Sequence, residues 1–152
     1  SNFALAGYEC LHNLNYWQFG DYLGIGAGAH AKLTSRGEDG ALKIVREART
    51  RAPADYLARL APSRGAGASA VAERREVTAR DAVFEFMMNA LRLTAGVPAS
   101  LFAARTGLAL DAVEPALGTA RSRGLVATDG DRLAPTALGQ QFLNDLLELF
   151  LP

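Results

Sequence analysis

The chain is poor in cysteine, histidine and tryptophan. Its 152 residues include one cysteine, Cys10, two histidines and one tryptophan. A lone cysteine makes no internal disulfide, so a reducing, cytoplasmic setting is expected. Neither sign of charge is in excess: 16 basic residues cancel 16 acidic ones. That balance argues against a protein whose main work is neutralising nucleic-acid phosphates. Long apolar runs are missing as well. None approaches the ~18 residues of a membrane span, so no span is expected. No basic start leads into an apolar stretch, so no signal peptide is read. The chain also lacks an initiator methionine and reaches its densest motif almost at once. It therefore reads as the C-terminal part of a longer protein.

What is present is an apolar content of 49%, enough for a core of ordinary size. The length suits one domain, or a small domain with an appendage. The reactive groups are concentrated near the start. Cys10 is followed by His12-Asn13-Leu14-Asn15-Tyr16-Trp17, and Gly20-Asp21-Tyr22-Leu23-Gly24-Ile25-Gly26-Ala27-Gly28-Ala29-His30 comes soon after.

Residues 1–20 sustain no helical period and read mostly as loop. Tyr22 to Ile25 suits a short buried strand ending in glycines. Lys32 to Gly40 is polar and rich in turn formers. Ala41 to Ala48 alternates loosely, as a strand pairing back across that turn would. Pro53 opens a short helix with Tyr56, Leu57 and Leu60 on one face. Residues 61–77, small and flexible around Gly65 to Ser69, read as a linker.

From Thr78 the signals sharpen. Thr78-Ala79-Arg80-Asp81 resembles a capping box, with Asp in place of the usual Glu. The helix it opens, to about Leu93, is apolar nearly all round and should be central. Pro98 opens a short second helix, closed by Thr106-Gly107. A third helix is expected over 111–123, with Asp111 as its cap. Leu125 to Thr128 and Asp131 to Leu133 flank Asp129-Gly130, the signature of a tight hairpin. A last helix starts at Pro135-Thr136. Three helices, a hairpin and a closing helix is the order of a winged-helix domain. Asp111 and Glu114 at the would-be recognition helix, and Asp129 and Asp131 at the wing tip, would repel phosphates. No DNA partner is expected.

Gly24, Gly26 and Ala29 match the spacing of a dinucleotide-binding turn, but the broken sequence after His30 supplies no helix to complete it. The glycines instead suit a close approach by a ligand or another backbone, or a tight corner with no ligand. His12 has no partner at zinc-site spacing. Alone it reads as a hydrogen-bonded structural residue. Asn13, Asn15, Tyr16 and Trp17 around it also suit a surface for a flat ring, or a plug of Tyr16, Trp17 and Phe19 in a core.

These residues carry a resemblance. Ser1-Asn2-Phe3-Ala4, Gly7-Tyr8-Glu9-Cys10, the H-N-x-x-Y-W run from His12 to Trp17, and the stretch from Gly20 to His30 resemble the oxygen-independent coproporphyrinogen III oxidase-like radical SAM proteins. The H-N-x-x-Y-W run resembles the haem-chaperone branch. The lobe after about Thr78 is similar to the family's terminal domain.

The resemblance implies an α+β fold. Residues 1–60 would be remnant strands from the C-terminal end of a partial (β/α) barrel, 61–77 a linker and 78–152 a winged-helix-like C-terminal domain. It implies haem or porphyrin as partner, with His12, Asn13, Tyr16 and Trp17 at the haem and His12 a candidate iron ligand. It implies that Gly24, Gly26 and Gly28 line an S-adenosylmethionine side. S-adenosylmethionine and the [4Fe–4S] cluster would belong to the full-length parent, whose missing N-terminal barrel part is a further partner. Copies pairing through exposed strand edges are another expectation.

Three functions stand open. The first is haem binding and delivery. The second is oxidative decarboxylation of coproporphyrinogen III. The third is a winged-helix docking module for nucleic acid or protein. One cysteine cannot supply the three thiolates of a cluster. Anaerobic reconstitution of this chain alone should therefore leave no stoichiometric iron and sulfide; a full complement of both would overturn that expectation.

Overall fold

The structure is a computed structural model that describes residues 4, 5, 7–65, 67–128 and 131–152. It is α+β. The described residues fall into two compact units: Asp21–Val77, and Ser1–Gly20 together with Thr78–Pro152. The larger segment of the second unit begins at Thr78, and part of the stretch read as a linker, Val71–Glu76, is a strand. The described residues before Asp21 group with the helical lobe. No helix among the described residues is long and apolar enough to cross a membrane.

The unit over 21–77 is built on an antiparallel meander of β1 (His30–Arg36), β2 (Leu42–Arg49) and β3 (Val71–Glu76), in that spatial order. β2 pairs back on β1 across a turn, with Leu33 opposite Val45. The turn is shorter than its polar composition implies, because Lys32 to Arg36 belong to β1. β3 lies in the stretch read as linker, and its backbone pairs with the outer edge of β2. Tyr22 makes one bridge to Lys32, but Leu23 and Ile25 are 72% and 87% exposed, so this stretch is no buried strand. Helix α1 is Leu11–Trp17, and α2 is Pro53–Arg59, where Pro53 announced it.

Lys32 is the unexpected member of the sheet. Its side chain is 2% exposed and lies 2.8 Å from Asp21 Oδ1. A buried ammonium needs such a partner. Thr34 completes the cluster: its N–H donates to Asp21 Oδ2 at 2.8 Å and its hydroxyl to Oδ1 at 2.8 Å. Partial burial works against a charged Asp21. The hydrogen bonds from Lys32 and Thr34, with the attraction of Lys32, outweigh it and hold the carboxyl below its ordinary 3.8.

The helical lobe starts with α3 (Ala79–Ala90), whose cap is as expected: the Thr78 hydroxyl accepts from Asp81 N–H at 3.2 Å. Phe86, Met87 and Ala90 on α3 are fully buried. β4 (Val97–Pro98) precedes α4 (Ser100–Thr106), which ends on Gly107 at φ 74°. The third helix is not continuous. A 3-10 turn over Leu110–Val113 gives way at Glu114-Pro115 to α5 (Ala116–Ser122), because proline cannot sit inside a helix. β5 (Arg132–Leu133) pairs with β4 rather than only with its hairpin partner, and Val126 bridges to Pro135. The Asp129-Gly130 turn lies outside the described residues. The last helix is broken at Phe142 into α6 (Ala137–Gln141) and α7 (Leu143–Glu148).

Asp21→Ala would leave the buried Lys32 ammonium without its carboxylate. Discounted for the exposed side of Asp21, the loss should be about 1–2 kcal/mol in denaturant melts at pH 7. A carboxylate with a lowered folded pKa stabilises above its unfolded value, and that contribution fades as pH falls through the folded value. The difference between wild type and variant should thus shrink below about pH 4. An unchanged difference in acid would contradict this role.

Candidate functional site

The densest motif forms a helix, not a loop. α1 is only two turns long, too short to stand alone in water. Its period escapes notice because Cys10, Asn13, Leu14 and Trp17 repeat only once. Its C-terminus closes in a Schellman arrangement. The Phe19 N–H donates to the Tyr16 carbonyl at 3.0 Å and the Gly20 N–H to the Asn15 carbonyl at 2.7 Å. Glycine usually takes the left-handed position of that motif. Here it is Phe19, at φ 55°. Its ring is 1% exposed and meets Phe86 edge-on at 5.9 Å; Phe86 in turn meets Phe102 at 5.2 Å. Of the three aromatics read as a core plug, Phe19 is the plug. Tyr16 and Trp17 stay half-buried.

Helical geometry explains the spacing of H-N-x-x-Y-W. Advancing about 100° per residue, His12, Tyr16, Asn13 and Trp17 follow one another round α1 within an arc of about 140°. Leu14 and Asn15, the two unspecified positions, fall outside it. His12 is exposed at one end, and Tyr16 meets its ring edge-on at 4.7 Å. Trp17 at the other end, and Asn13 beside it, line a cleft of about 330 Å³. The far wall is Arg92 to Gly96, the turn that follows α3. The volume is at the lower end of small-molecule pockets. Leu5, Tyr8 and Leu11 stand 79%, 82% and 81% exposed near the start of the helix. Arg92 is the cleft residue that the motif did not foretell; its signal would have been a lone base in an apolar stretch.

The donor set fits a haem. It offers an accessible imidazole, flanking aromatic surface and a neighbouring base. It does not fit a [4Fe–4S] cluster. Cys10 is exposed and single, and no three of His, Cys, Asp and Glu are grouped among the described residues.

The glycines lie in the other unit. Gly24 is packed against the His30 backbone so closely that a Cβ would collide with the His30 carbonyl. Gly26 and Gly28 take φ of 105° and 72°, where side chains are disfavoured. The turn into β1 thus gives each of the three a backbone reason, which bears neither way on a ligand. Gly26 N–H donates to Tyr56 Oη at 3.2 Å, which ties this turn to α2.

Residues 77–142 match the HemN C-terminal domain family. Over 151 residues the chain is 42% identical to "Heme chaperone HemW" of Escherichia coli K12, covering 99% of this chain and 36% of that protein. It is 43% identical over 152 residues to the protein of the same name from Haemophilus influenzae, with the same coverage. Over 40 residues, 26% of this chain and 9% of the relative, it is 52% identical to mouse "Radical S-adenosyl methionine domain-containing protein 1, mitochondrial". The chain thus spans about a third of the length of the bacterial relatives it matches. No solved structure matches significantly.

If Phe19 anchors α1, removing its ring should free the helix. Phe19→Ala should cost about 3–4 kcal/mol in unfolding free energy. Phe19→Gly should be milder by about 1 kcal/mol, because glycine relaxes at positive φ. Equal losses would contradict strain at this position.

Proposed function

We propose that this chain, which carries a HemN C-terminal domain and resembles haem chaperones along nearly its whole length, is the C-terminal part of a radical SAM protein that binds haem and delivers it. The observation that carries the reading is the arc on α1. It gathers an imidazole, two aromatic rings and an amide on one side of a short helix.

His12 supplies the nitrogen lone pair for a haem iron. Tyr16, edge-on to the imidazole, restricts the plane in which His12 can turn. Asn13 and Trp17 carry the ring's periphery toward the cleft. Exposure of His12 suits delivery: a ligand reached from solvent can be replaced by an acceptor's ligand without unfolding the mount. Haem bound here would be held by the His12 imidazole and flanked by Tyr16, Asn13 and Trp17.

The remaining two thirds of the full-length protein supplies the cluster and the S-adenosylmethionine site in this reading. The turn from Gly24 to Gly28 faces that cofactor, which the open space over Gly26 would allow. Leu23, Ile25, Leu57 and Leu60, all exposed, are surface for the rest of the barrel to cover. The helical lobe, with its short β4–β5 pair, is the winged-helix-like end.

A haem titration followed in the Soret band tests this. Wild type should give a saturable shift at one haem per chain. His12→Ala should lose the shift or weaken it by at least tenfold, with the far-ultraviolet circular dichroism unchanged. An identical titration in the variant would remove His12 from the site.

A further inference from the structure

The cleft beside α1 holds a charge that the motif leaves unused. Among the described residues Arg92 is the only basic one lining it, and Glu9 the only acidic one. Glu9 is turned onto its own chain, accepting from Gly7 N–H at 2.9 Å. Arg92 Nε donates to the Met88 carbonyl at 3.2 Å, which steadies the stem. Among the described residues no carboxylate pairs with its guanidinium. Its two terminal nitrogens thus remain as a fork of donors on a residue that lines the same cleft as Trp17 and Asn13.

A cation beside an indole and Leu93 recognises a planar apolar ligand that carries a carboxylate on its edge. Haem is such a ligand, with two propionates on one side of its ring. The inference rests on the haem reading above and deepens it. The geometry points to Arg92 as the propionate-binding residue of the haem mount. The iron lies toward His12 at one end of the arc, and a propionate enters the cleft at the other. Asn13 stands between the two ends, about 60° round α1 from Tyr16 and about 40° from Trp17. The arrangement orients the ring: the propionate edge is held, and the opposite edge is left outward for the acceptor.

The test compares haem with haem dimethyl ester, which keeps the iron and ring but masks both carboxylates. Full-length wild type, Arg92→Ala and Arg92→Lys are titrated with each in the Soret band. Wild type should bind haem more tightly than the ester by about tenfold, the usual weight of a charge-assisted pair. Arg92→Ala should lose that preference, with its affinity for the ester unchanged, and Arg92→Lys should keep part of it. An Arg92→Ala protein that still prefers haem, or one that loses both ligands equally, overturns the assignment of Arg92. Wild type that binds neither ligand overturns the haem reading itself, and the Arg92 assignment with it.

Discussion

The candidate site depends on one buried ring. α1 is two turns long and has no side-chain cap at its N-terminus, so its own hydrogen bonds do not hold it. Phe19 does, from the position just past the helix end. It accepts a left-handed backbone, which costs a bulky residue about 1–2 kcal/mol, and in return buries its ring against Phe86. Phe86 belongs to α3 and touches Phe102 of α4, so the motif helix is tied to the centre of the helical lobe. The same placement brings α1 beside the turn at Arg92 to Gly96 and so forms the cleft. A surface that presents His12 to solvent thus rests on an aromatic stack that solvent does not reach.

Much of the helical lobe was legible. Thr78 caps α3, Gly107 ends α4, and Pro53 opens α2, because these residues act through local backbone chemistry that neighbours do not override. β2 was legible for the same reason: its alternation is local. What escaped depended on distant partners. Lys32 reads as a solvated turn residue until Asp21, eleven positions earlier, is placed beside it. Val71 to Glu76 looks like linker until the bare edge of β2 recruits it. The break at Pro115 was local and visible, but the apolar positions on either side masked it.

The motif itself was legible as chemistry and not as shape. His12, Asn13, Tyr16 and Trp17 stood out by residue type alone. Their common arc appears only once the segment is a helix, and the helix exists only once Phe19 is buried. The glycines went the other way. Gly24, Gly26 and Gly28 stood out as candidates for a ligand, and the structure supplies each with a conformational or packing reason of its own. Arg92, which no motif marked, gained its place from the cleft.

In the proposed haem site a porphyrin lies along the arc, with an edge at Trp17. Trp17 is the only tryptophan, so its indole N–H gives one signal in a nitrogen-15 correlation spectrum. Titration with diamagnetic zinc protoporphyrin should move that signal by ring current and saturate at one porphyrin per chain. Saturable binding by absorbance with the Trp17 signal unmoved would place the porphyrin away from the arc.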